Sequence, residues 1–455
     1  MPRLRRFLAA SLCLAVALAR GASPAPVAAD NGMVVTAQHL ATKVGVEVLK
    51  GGGNAIDAAV AVGYALAVVY PAAGNLGGGG FMLVRLADGR KTFIDFREKA
   101  PLAATRGMYL DKSGAVIPNA SLIGHLAVGV PGSVAGLEYA RAKYGTIPRE
   151  PLIAPAIALA EDGFVLQQGD VHLLAEASRE LRNDPPSAAI FLDAGNTRAA
   201  GSRLVQRDLA STLREVSRLG ADGFYRGRVA EMIVASSRAG GGILTMEDLA
   251  RYKPREMAPV ECDYRGYRIV SAPPPSSGGV VLCEMLNVLE GYPMREWGFH
   301  SARAIHHQVE AMRHAYVDRN GYLGDPDFVK NPVARFLDKE YAARIRAAID
   351  PQKATPSASL RVGVPPHEGM NTTHYSIVDR LGNAVAVTYT LNDSFGAHVT
   401  AKGTGVLLNN EMDDFTIKLG EANLFGLVQG EPNLIAPEKR PLSSMTPTIV
   451  LRDDK

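Results

Sequence analysis

The distribution of apolar and polar residues along the chain predicts several long helices. Residues 37–50 and 54–69 have the pattern of two helices joined by a run of three glycines, with Asn54 as a candidate N-cap for the second. The second stretch is too interrupted for a membrane span and is predicted to be a buried helix. Residues 125–255 are mostly helical in character, and residues 301–323 return to it.

Strand patterns lie between these helical stretches. Residues 373–379 and 384–390 alternate around a Leu-Gly-Asn turn, which predicts a β-hairpin. Residues 81–85 and 92–97 form a second strand pair around an Ala-Asp-Gly turn, and residues 262–271 have strand character. A chain of 455 residues can therefore bury a large mixed α and β core, as one large domain or two ordinary ones.

The first 29 residues differ from the rest of the chain. They begin with three arginines, continue through an apolar run at residues 7–19 that is too short to cross a bilayer, and end in small residues. This layout is typical of a secretory signal peptide, with cleavage after Ala29 or Ala19. It predicts a periplasmic or secreted protein; the alternative is an uncleaved membrane anchor.

Charge and cysteine content narrow the function classes. Without the four leader arginines, 45 of the 49 basic residues remain against 46 acidic ones, so nothing indicates a nucleic-acid surface. Cys262 and Cys283 remain after removal of the leader, and one disulfide between them is possible. The histidines are scattered, and the adjacent pair His306 and His307 lacks ligand spacing, so no metal site is predicted.

Four consecutive glycines occupy residues 77–80, directly before a predicted strand. Such a run lets the backbone approach a neighbour or a ligand closely. It does not match a dinucleotide-binding fingerprint, because no helix follows the glycines.

The segment MNTTHYSIVD places Thr372 where an irregular, Pro-containing connector meets the predicted hairpin. Strand propensity alone explains a threonine there. The chemical hypothesis is that cleavage between Asn371 and Thr372 makes Thr372 an amino terminus. Its α-amino group, with a pKa of roughly 7.7–8.0, would then serve as the base that activates its own hydroxyl.

Three downstream stretches are rich in polar residues: TYTLNDSFG, LLNNEMDDF and KRPLSSMTPTIV. Each also has a structural interpretation, as turn residues, a solvated acidic loop, or serines at the start of a strand. Considered singly, the structural interpretation is favoured for all three.

Taken together and in order, these blocks resemble the γ-glutamyltransferase (γ-glutamyl transpeptidase) family of N-terminal nucleophile hydrolases. The resemblance is carried by TTHYSIVDRLGNAVAVTYTLNDSFG, which starts at Thr372, and by the three downstream blocks. Upstream it is carried by NAIDAAVAVGYALAVVYPAAGNLGGGGFML, FIDFREKAP and PPPSSGG. It extends from about residue 32 to the end, and a chance match of this extent is not credible.

The resemblance implies an α+β fold, the four-layer αββα sandwich of N-terminal nucleophile hydrolases, with its C-terminal part apparently truncated. It implies a large subunit of residues 30–371 and an incomplete small subunit of residues 372–455, which stay together as a heterodimer and form one composite domain. The implied reaction transfers a γ-glutamyl group from glutathione or a related donor to water, an amino acid or a peptide, without a cofactor.

The family's site residues map onto matching positions. Thr372 is the implied nucleophile and base, and Thr390 orients it. The implied substrate-binding residues are Arg97, Ser443 and Ser444 for the donor's α-carboxylate, and Asn392, Asp414 and Glu411 for its α-amino group. A guanidinium fork pairs well with a carboxylate, so Arg97 and Asp414 are expected at opposite ends of a pocket for a zwitterion. His374 is assigned a structural role, because the α-amine makes a histidine base unnecessary.

Two departures from the family pattern stand out. The chain ends at Lys455, before a Gly-Gly turn whose amides stabilise the oxyanion in the family, and losing one such donor typically costs ~10²–10³ in rate. We interpret the chain as a fragment, because every pocket residue upstream is present. Phe425 stands where some bacterial relatives carry a lid tyrosine.

Two alternatives stay open. One is an acylase for glutaryl β-lactams, whose donors lack the α-amino group, so that Asp414 argues against it. The other is an uncleaved, non-catalytic relative that lacks the oxyanion turn.

Overall fold

A computed structural model describes residues 26–356 and 372–453 of the chain. Residues 1–25 of the predicted signal peptide, most of the predicted connector, and Asn371 lie outside the described residues. The predicted bond cleavage and the predicted leader are therefore not addressed by the fold.

The predicted strands are present, although the strand predicted at residues 81–85 begins two residues earlier, at Gly79, and the predicted stretch 262–271 forms two strands. The strands at residues 32–35 and 255–257 and several two-residue strands were not predicted. In chain order the strands are β1 (Gly32–Val35), β2 (Gly79–Arg85), β3 (Lys91–Phe96), β4 (Phe164–Val165), β5 (Leu192–Asp193), β6 (Asn196–Thr197), β7 (Arg203–Leu204), β8 (Arg255–Met257), β9 (Val260–Tyr264), β10 (Tyr267–Ser271), β11 (Thr372–Asp379), β12 (Ala384–Thr390), β13 (Thr400–Ala401), β14 (Val406–Leu407) and β15 (Thr448–Arg452).

The helices also follow the predicted stretches. They are α1 (His39–Lys50), α2 (Ala55–Val69), α3 (Ser133–Tyr144), α4 (Arg149–Asp162), α5 (Gln168–Leu181), α6 (Pro185–Phe191), α7 (Arg207–Leu219), α8 (Asp222–Tyr225), α9 (Gly227–Ala239), α10 (Met246–Arg251), α11 (Gly278–Glu290), α12 (Met294–Trp297), α13 (Ala302–Tyr322), α14 (Val333–Phe336) and α15 (Lys339–Ala348).

Two antiparallel sheets form the centre of the molecule. The large sheet has six strands in the order β1-β11-β12-β2-β3-β8, and a smaller sheet has the order β15-β10-β9. The predicted hairpin is confirmed: β11 pairs with β12, and Thr372 lies opposite Thr390. Both strands of this hairpin lie inside the large sheet, flanked by β1 and β2.

Side chains alternate between the two faces of the large sheet, so the apolar core lies in two layers, one on each face. Met82, Val84 and Tyr375 point to one face of the large sheet and pack with α2. Phe81 and Ala386 point to the other face, in a cluster that also contains residues of β10 and β15. The two sheets therefore face each other, and the predicted αββα architecture is confirmed.

Helix α2 is buried at every one of its 15 residues. A capping box begins it: the Asn54 side chain accepts from the backbone N–H of Asp57, and the Asp57 carboxylate accepts from the backbone N–H of Asn54. The prediction of a buried helix with Asn54 as N-cap is confirmed. In the described ranges, none of the helices combines the length and apolar composition needed to cross a bilayer.

The fourth layer is held to the small sheet by apolar contacts and one disulfide. Val280 and Cys283 of α11 pack in a cluster with Val260 of β9. Cys283 is bonded to Cys262, with an S–S distance of 2.05 Å. The possibility left open by the sequence is therefore realised as a link between β9 and α11.

Candidate active site

Thr372 and Thr390 meet at the end of the hairpin, on the face of the large sheet that points towards the small one. They are cross-strand partners, and the Thr372 hydroxyl donates to the Thr390 hydroxyl at 3.3 Å. Even-numbered residues of both strands share this face with Ala386, which contacts the small sheet. The side chain of Thr372, the predicted nucleophile, therefore faces the space between the two sheets.

The Thr390 hydroxyl is itself held in place by the chain that follows. The backbone N–H of Asn392 donates to it at 2.9 Å. Asn392 has a φ of 81°, a left-handed conformation that asparagine tolerates better than most residues. This turn at the end of β12 fixes the hydroxyl that faces Thr372.

The glycine run at residues 77–80 packs against the end of β12 that carries Thr390. A side chain on Gly78 would overlap the carbonyl oxygen of Thr390. The Asn75 side chain bridges the two segments, because it accepts from the backbone N–H of Gly78 and donates to the Thr390 carbonyl, both at 2.9 Å. The predicted close approach is confirmed, and the neighbour is the backbone of β12.

A cavity of ≈ 390 Å³ opens in front of Thr372. All eight predicted catalytic and binding residues line it, while Asn371 lies outside the described residues. The lining also includes residues that sequence reasoning did not single out for the site. The full set is Arg97, Tyr316, Arg319, Thr372, Thr388, Thr390, Asn392, Glu411, Asp414, Phe425, Leu427, Ser443, Ser444 and Met445.

Arg97 lies at the charged end of this cavity and is almost fully buried. Its guanidinium is ion-paired with Asp414 and Glu411, and its Nε donates to the Pro441 carbonyl at 3.2 Å. The expectation that Arg97 and Asp414 lie at opposite ends of the pocket is therefore wrong. A guanidinium this deeply buried needs anionic neighbours, and the turn at residues 411–414 supplies them.

The carboxyl groups around Arg97 are not equivalent. Burial raises the pKa of Glu411 well above its ordinary value; Arg97 opposes this rise, and Glu98 and Asp414 add to it. Burial likewise raises the pKa of Glu98, again against the effect of Arg97. Burial by itself would lower the pKa of Arg97, but Glu411 and Asp414 raise it, and the net change is a rise. One guanidinium therefore lies among three carboxyl groups, and ionising all three at once in this buried site is energetically costly.

Ser443 and Ser444, here called the serine loop, also line the cavity. The carbonyl oxygen of Ser443 accepts from both the backbone N–H and the hydroxyl of Ser277, each at 2.8 Å, and the backbone N–H of Ser443 donates to the Pro275 carbonyl at 2.8 Å. The PPPSSGG loop thus holds Ser443 in place, and it leaves Ser444 exposed towards the cavity.

The family model for γ-glutamyltranspeptidase matches residues 41–455. The chain belongs to the γ-glutamyltranspeptidase family. The glutathione hydrolase proenzyme of Pseudomonas sp. (strain A14) is 68% identical over 452 residues, which cover 99% of this chain and 79% of that protein. The crystal structure of Helicobacter pylori γ-glutamyltranspeptidase superposes with a TM-score of 0.72 at 46% identity, covering 76% of this chain and 100% of that one.

Acylases are also among the relatives, at lower sequence identity. The acylase ACY 1 proenzyme of Pseudomonas sp. (strain SE83) is 39% identical over 436 residues, covering 94% of this chain and 76% of that protein. The higher identity to a glutathione hydrolase favours the main hypothesis over the acylase alternative.

His374 lies two cross-strand pairs further along the hairpin than Thr372, on the same face of the sheet. Its Nδ1 is 2.8 Å from the Thr388 hydroxyl and its Nε2 is 3.0 Å from the Ser376 hydroxyl. Burial lowers its pKa, which favours the neutral imidazole. Among the described residues it has no hydrogen bond to Thr372, as its assigned structural role requires.

Tyr316 and Arg319, on α13, are two of the cavity residues that sequence reasoning missed, together with Thr388, Leu427 and Met445. The two on α13 are polar residues inside a long helix, where such residues usually face solvent, so their pattern carries no signal of a site. In the described part of the chain, no group of three His, Cys, Asp or Glu side chains is arranged to hold a metal ion.

Proposed function

We propose that this chain is a γ-glutamyl hydrolase and transpeptidase that acts on glutathione and related γ-glutamyl compounds after cutting itself between Asn371 and Thr372. The single observation that carries the proposal is the position of Thr372: it begins a strand, and its hydroxyl faces a cavity that holds a buried guanidinium and carboxyl groups. Self-cleavage would give a large and a small subunit that remain one heterodimer.

The chemistry needs only groups of this chain. Once the backbone is cut, the Thr372 amine accepts the proton of its own hydroxyl, and the oxygen attacks the γ-carbonyl of the donor. The amide bond breaks, the leaving amine takes up the proton, and a γ-glutamyl ester on Thr372 remains. Water or the amino group of an acceptor then attacks the ester, which releases the product and restores the hydroxyl.

The donor's two charges define the proposed binding roles. Arg97, with Ser443 and Ser444, binds the α-carboxylate. The α-ammonium is bound by Glu411 and Asp414, which contact that guanidinium, and by Asn392, which lines the same cavity. Because Arg97 and Asp414 already contact each other, the donor's carboxylate and ammonium would insert beside the pair and exchange partners with it.

The test compares Thr372→Ala with Thr373→Val. Thr373 is the next residue along β11, but it is buried on the opposite face of the sheet. We expect Thr372→Ala to abolish both chain cleavage, measured by denaturing mass spectrometry, and hydrolysis of a γ-glutamyl anilide. Thr373→Val should process and turn over normally. Cleavage that persists in Thr372→Ala would overturn the mechanism.

Two further outcomes separate the alternatives. Faster hydrolysis of a glutaryl anilide than of the γ-glutamyl anilide would support the acylase. A single unsplit wild-type chain without turnover would support the non-catalytic relative. Export to the periplasm or medium, the localisation we propose, is checked by fractionating expressing cells and sequencing the mature N-terminus.

A further inference from the structure

Arg319 is a second buried guanidinium in the cavity, and its environment differs from that of Arg97. It is 1% exposed and lies one helical turn from Tyr316 on α13. Its Nε donates to the Ser277 hydroxyl at 3.2 Å, and its Nη1 donates to the side-chain oxygens of Asn320 and Gln429 at 2.9 and 2.7 Å. All three acceptors are neutral.

No carboxylate of the described residues lies within ion-pair distance of Arg319. Its remaining nitrogen, Nη2, has no acceptor in the described parts of the chain, while the residue lines the cavity. Burial lowers its pKa, as expected of a cation with no anion in direct contact. A buried and unneutralised guanidinium is costly unless an anion joins it.

Hydrogen bonds connect Arg319 to the serine loop through Ser277. Ser277, which accepts from Arg319, donates in turn to the Ser443 carbonyl. On its other side, Gln429 accepts from Arg319 and donates to the Asp414 carbonyl at 2.9 Å. Arg319 therefore lies between the loop that presents Ser444 and the turn that presents Asp414, whereas Arg97 already shares its charge with two carboxyl groups.

We propose that Arg319 is a specificity-determining residue that selects donors carrying a carboxylate beside the serine loop. The inference rests on the proposed function, because it concerns the donor of that same reaction. Arg97 is ion-paired with both Glu411 and Asp414, so Arg319 adds positive field that distinguishes a carboxylate-bearing donor from an uncharged one.

The experiment uses three anilide donors with the processed, full-length protein. The γ-glutamyl anilide carries both charges, the glutaryl anilide carries only the carboxylate, and the 4-aminobutyryl anilide carries only the ammonium. For Arg319→Met we expect kcat/KM to fall about 10- to 100-fold for the two carboxylate donors, mainly through KM, and to change less than about threefold for the 4-aminobutyryl donor. Arg319→Lys should restore part of the preference.

Arg313→Met is the matched control. Arg313 is on the same helix, forms an ion pair with Glu310 at 3.4 Å and does not line the cavity. It should leave the ratios between donors unchanged. Equal losses on all three donors with Arg319→Met would overturn the inference and indicate a structural role.

Arg319→Gln keeps the inference testable if Arg319→Met fails to fold or process. It removes the charge but keeps a polar side chain, so a preference identical to that of the wild type, with unchanged KM for the carboxylate donors, would then overturn the inference. A wild type that processes but hydrolyses none of the donors overturns the proposed function and this inference with it. An active wild type with insensitive variants overturns the inference alone.

Discussion

At the scale of single residues, the site is defined by how buried charges are partnered. Arg97 contacts Glu411 and Asp414, whereas the hydrogen-bond acceptors of Arg319 among the described residues are neutral oxygens. Burial makes each unbalanced charge costly, so the protonation of the acids matters as much as their position. Burial raises the pKa of Glu411 and so favours its neutral form, while both Glu411 and Asp414 are ion-paired with Arg97.

The protonation of Glu411 predicts unequal effects of two conservative substitutions. Burial raises the pKa of Glu411 and favours its neutral form, which glutamine mimics, so for Glu411→Gln we expect less than about a threefold change in kcat/KM for the γ-glutamyl anilide at neutral pH. Asp414→Asn removes the charge that partners Arg97 and the donor ammonium, and we expect a loss of about 2 kcal/mol or more. Steady-state kinetics of both variants measures the contrast; equal losses would contradict it.

At the scale of elements, Asp379 ties the hairpin to the buried helix. Its Oδ1 accepts from the backbone N–H groups of Leu381 and Asn383 at 2.9 and 3.0 Å. Its Oδ2 accepts from the backbone N–H of Ala55, at the start of α2, at 3.0 Å and from the Asn383 side chain at 2.7 Å. One carboxylate thus closes the turn between β11 and β12 and neutralises the positive end of α2.

We expect Asp379→Ala to lower the free energy of unfolding by about 3 kcal/mol, because several donors lose a charged acceptor at once. Asp88→Ala is the control: it also lies in a hairpin turn, between β2 and β3, but in an exposed loop, so its effect should be within about 0.5 kcal/mol. Urea denaturation of the two variants gives both values. Similar losses would show that Asp379 is not a link between elements.

Asp413 connects the acidic turn to the segment that carries Phe425. Its carboxylate accepts from the Ser121 hydroxyl at 2.7 Å and from the backbone N–H of Leu424 at 2.8 Å. Burial raises its pKa to about 6, although both hydrogen bonds oppose the rise. The folded protein therefore holds this proton at a pH where the unfolded chain has released it.

A group whose pKa is raised in the folded protein contributes stability that is fully present below its pKa in the unfolded chain. That stability is lost as the pH rises through its pKa in the folded protein. We therefore expect Asp413 to decrease the free energy of unfolding by on the order of 2–3 kcal/mol as the pH rises from about 4 to about 6. Asp413→Asn should remove this slope, whatever its constant effect on stability. The measurement is the difference between urea midpoints of the two proteins across that range; parallel curves would refute it.

At the scale of the whole molecule, the two proposed subunits are interleaved. Strand β11 lies between β1 and β12, β12 pairs with β2, and β15 pairs with β10. Residues after 371 therefore supply inner strands of the large sheet and an edge strand of the small one. Cleavage of one backbone bond leaves all of these ladders intact.

We therefore expect the subunits to remain associated after cleavage. With an affinity tag at the C-terminus of the small subunit, the large subunit should stay bound through washing in native buffer and elute only in denaturant. The Thr372→Ala precursor, captured in the same way, should elute as one chain. Release of the large subunit in native buffer would contradict the interleaved topology.

Elements were predictable because their signals are local. Asn54 followed by Asp57 encodes the start of α2, and the alternation of residues 373–379 encodes β11 whatever surrounds it. The site was predictable as a set of residues only through the family blocks. Its internal pairing was not, since Arg97 and Asp414 are 317 positions apart and no local pattern reports their contact.

The sequence by itself determined the hairpin, the buried helix and the close backbone approach at the glycine run, whereas the residues around Thr372 were predicted only through the resemblance to a family. The first three features follow from side-chain size, backbone freedom and alternation, which act over a few neighbouring positions. The tertiary structure alone decided that Arg97 faces its carboxylates directly, that Cys262 meets Cys283, and that Arg319 enters the cavity. Those contacts depend on how two sheets and α13 pack, because packing brings distant residues within reach and burial then sets which charges they keep.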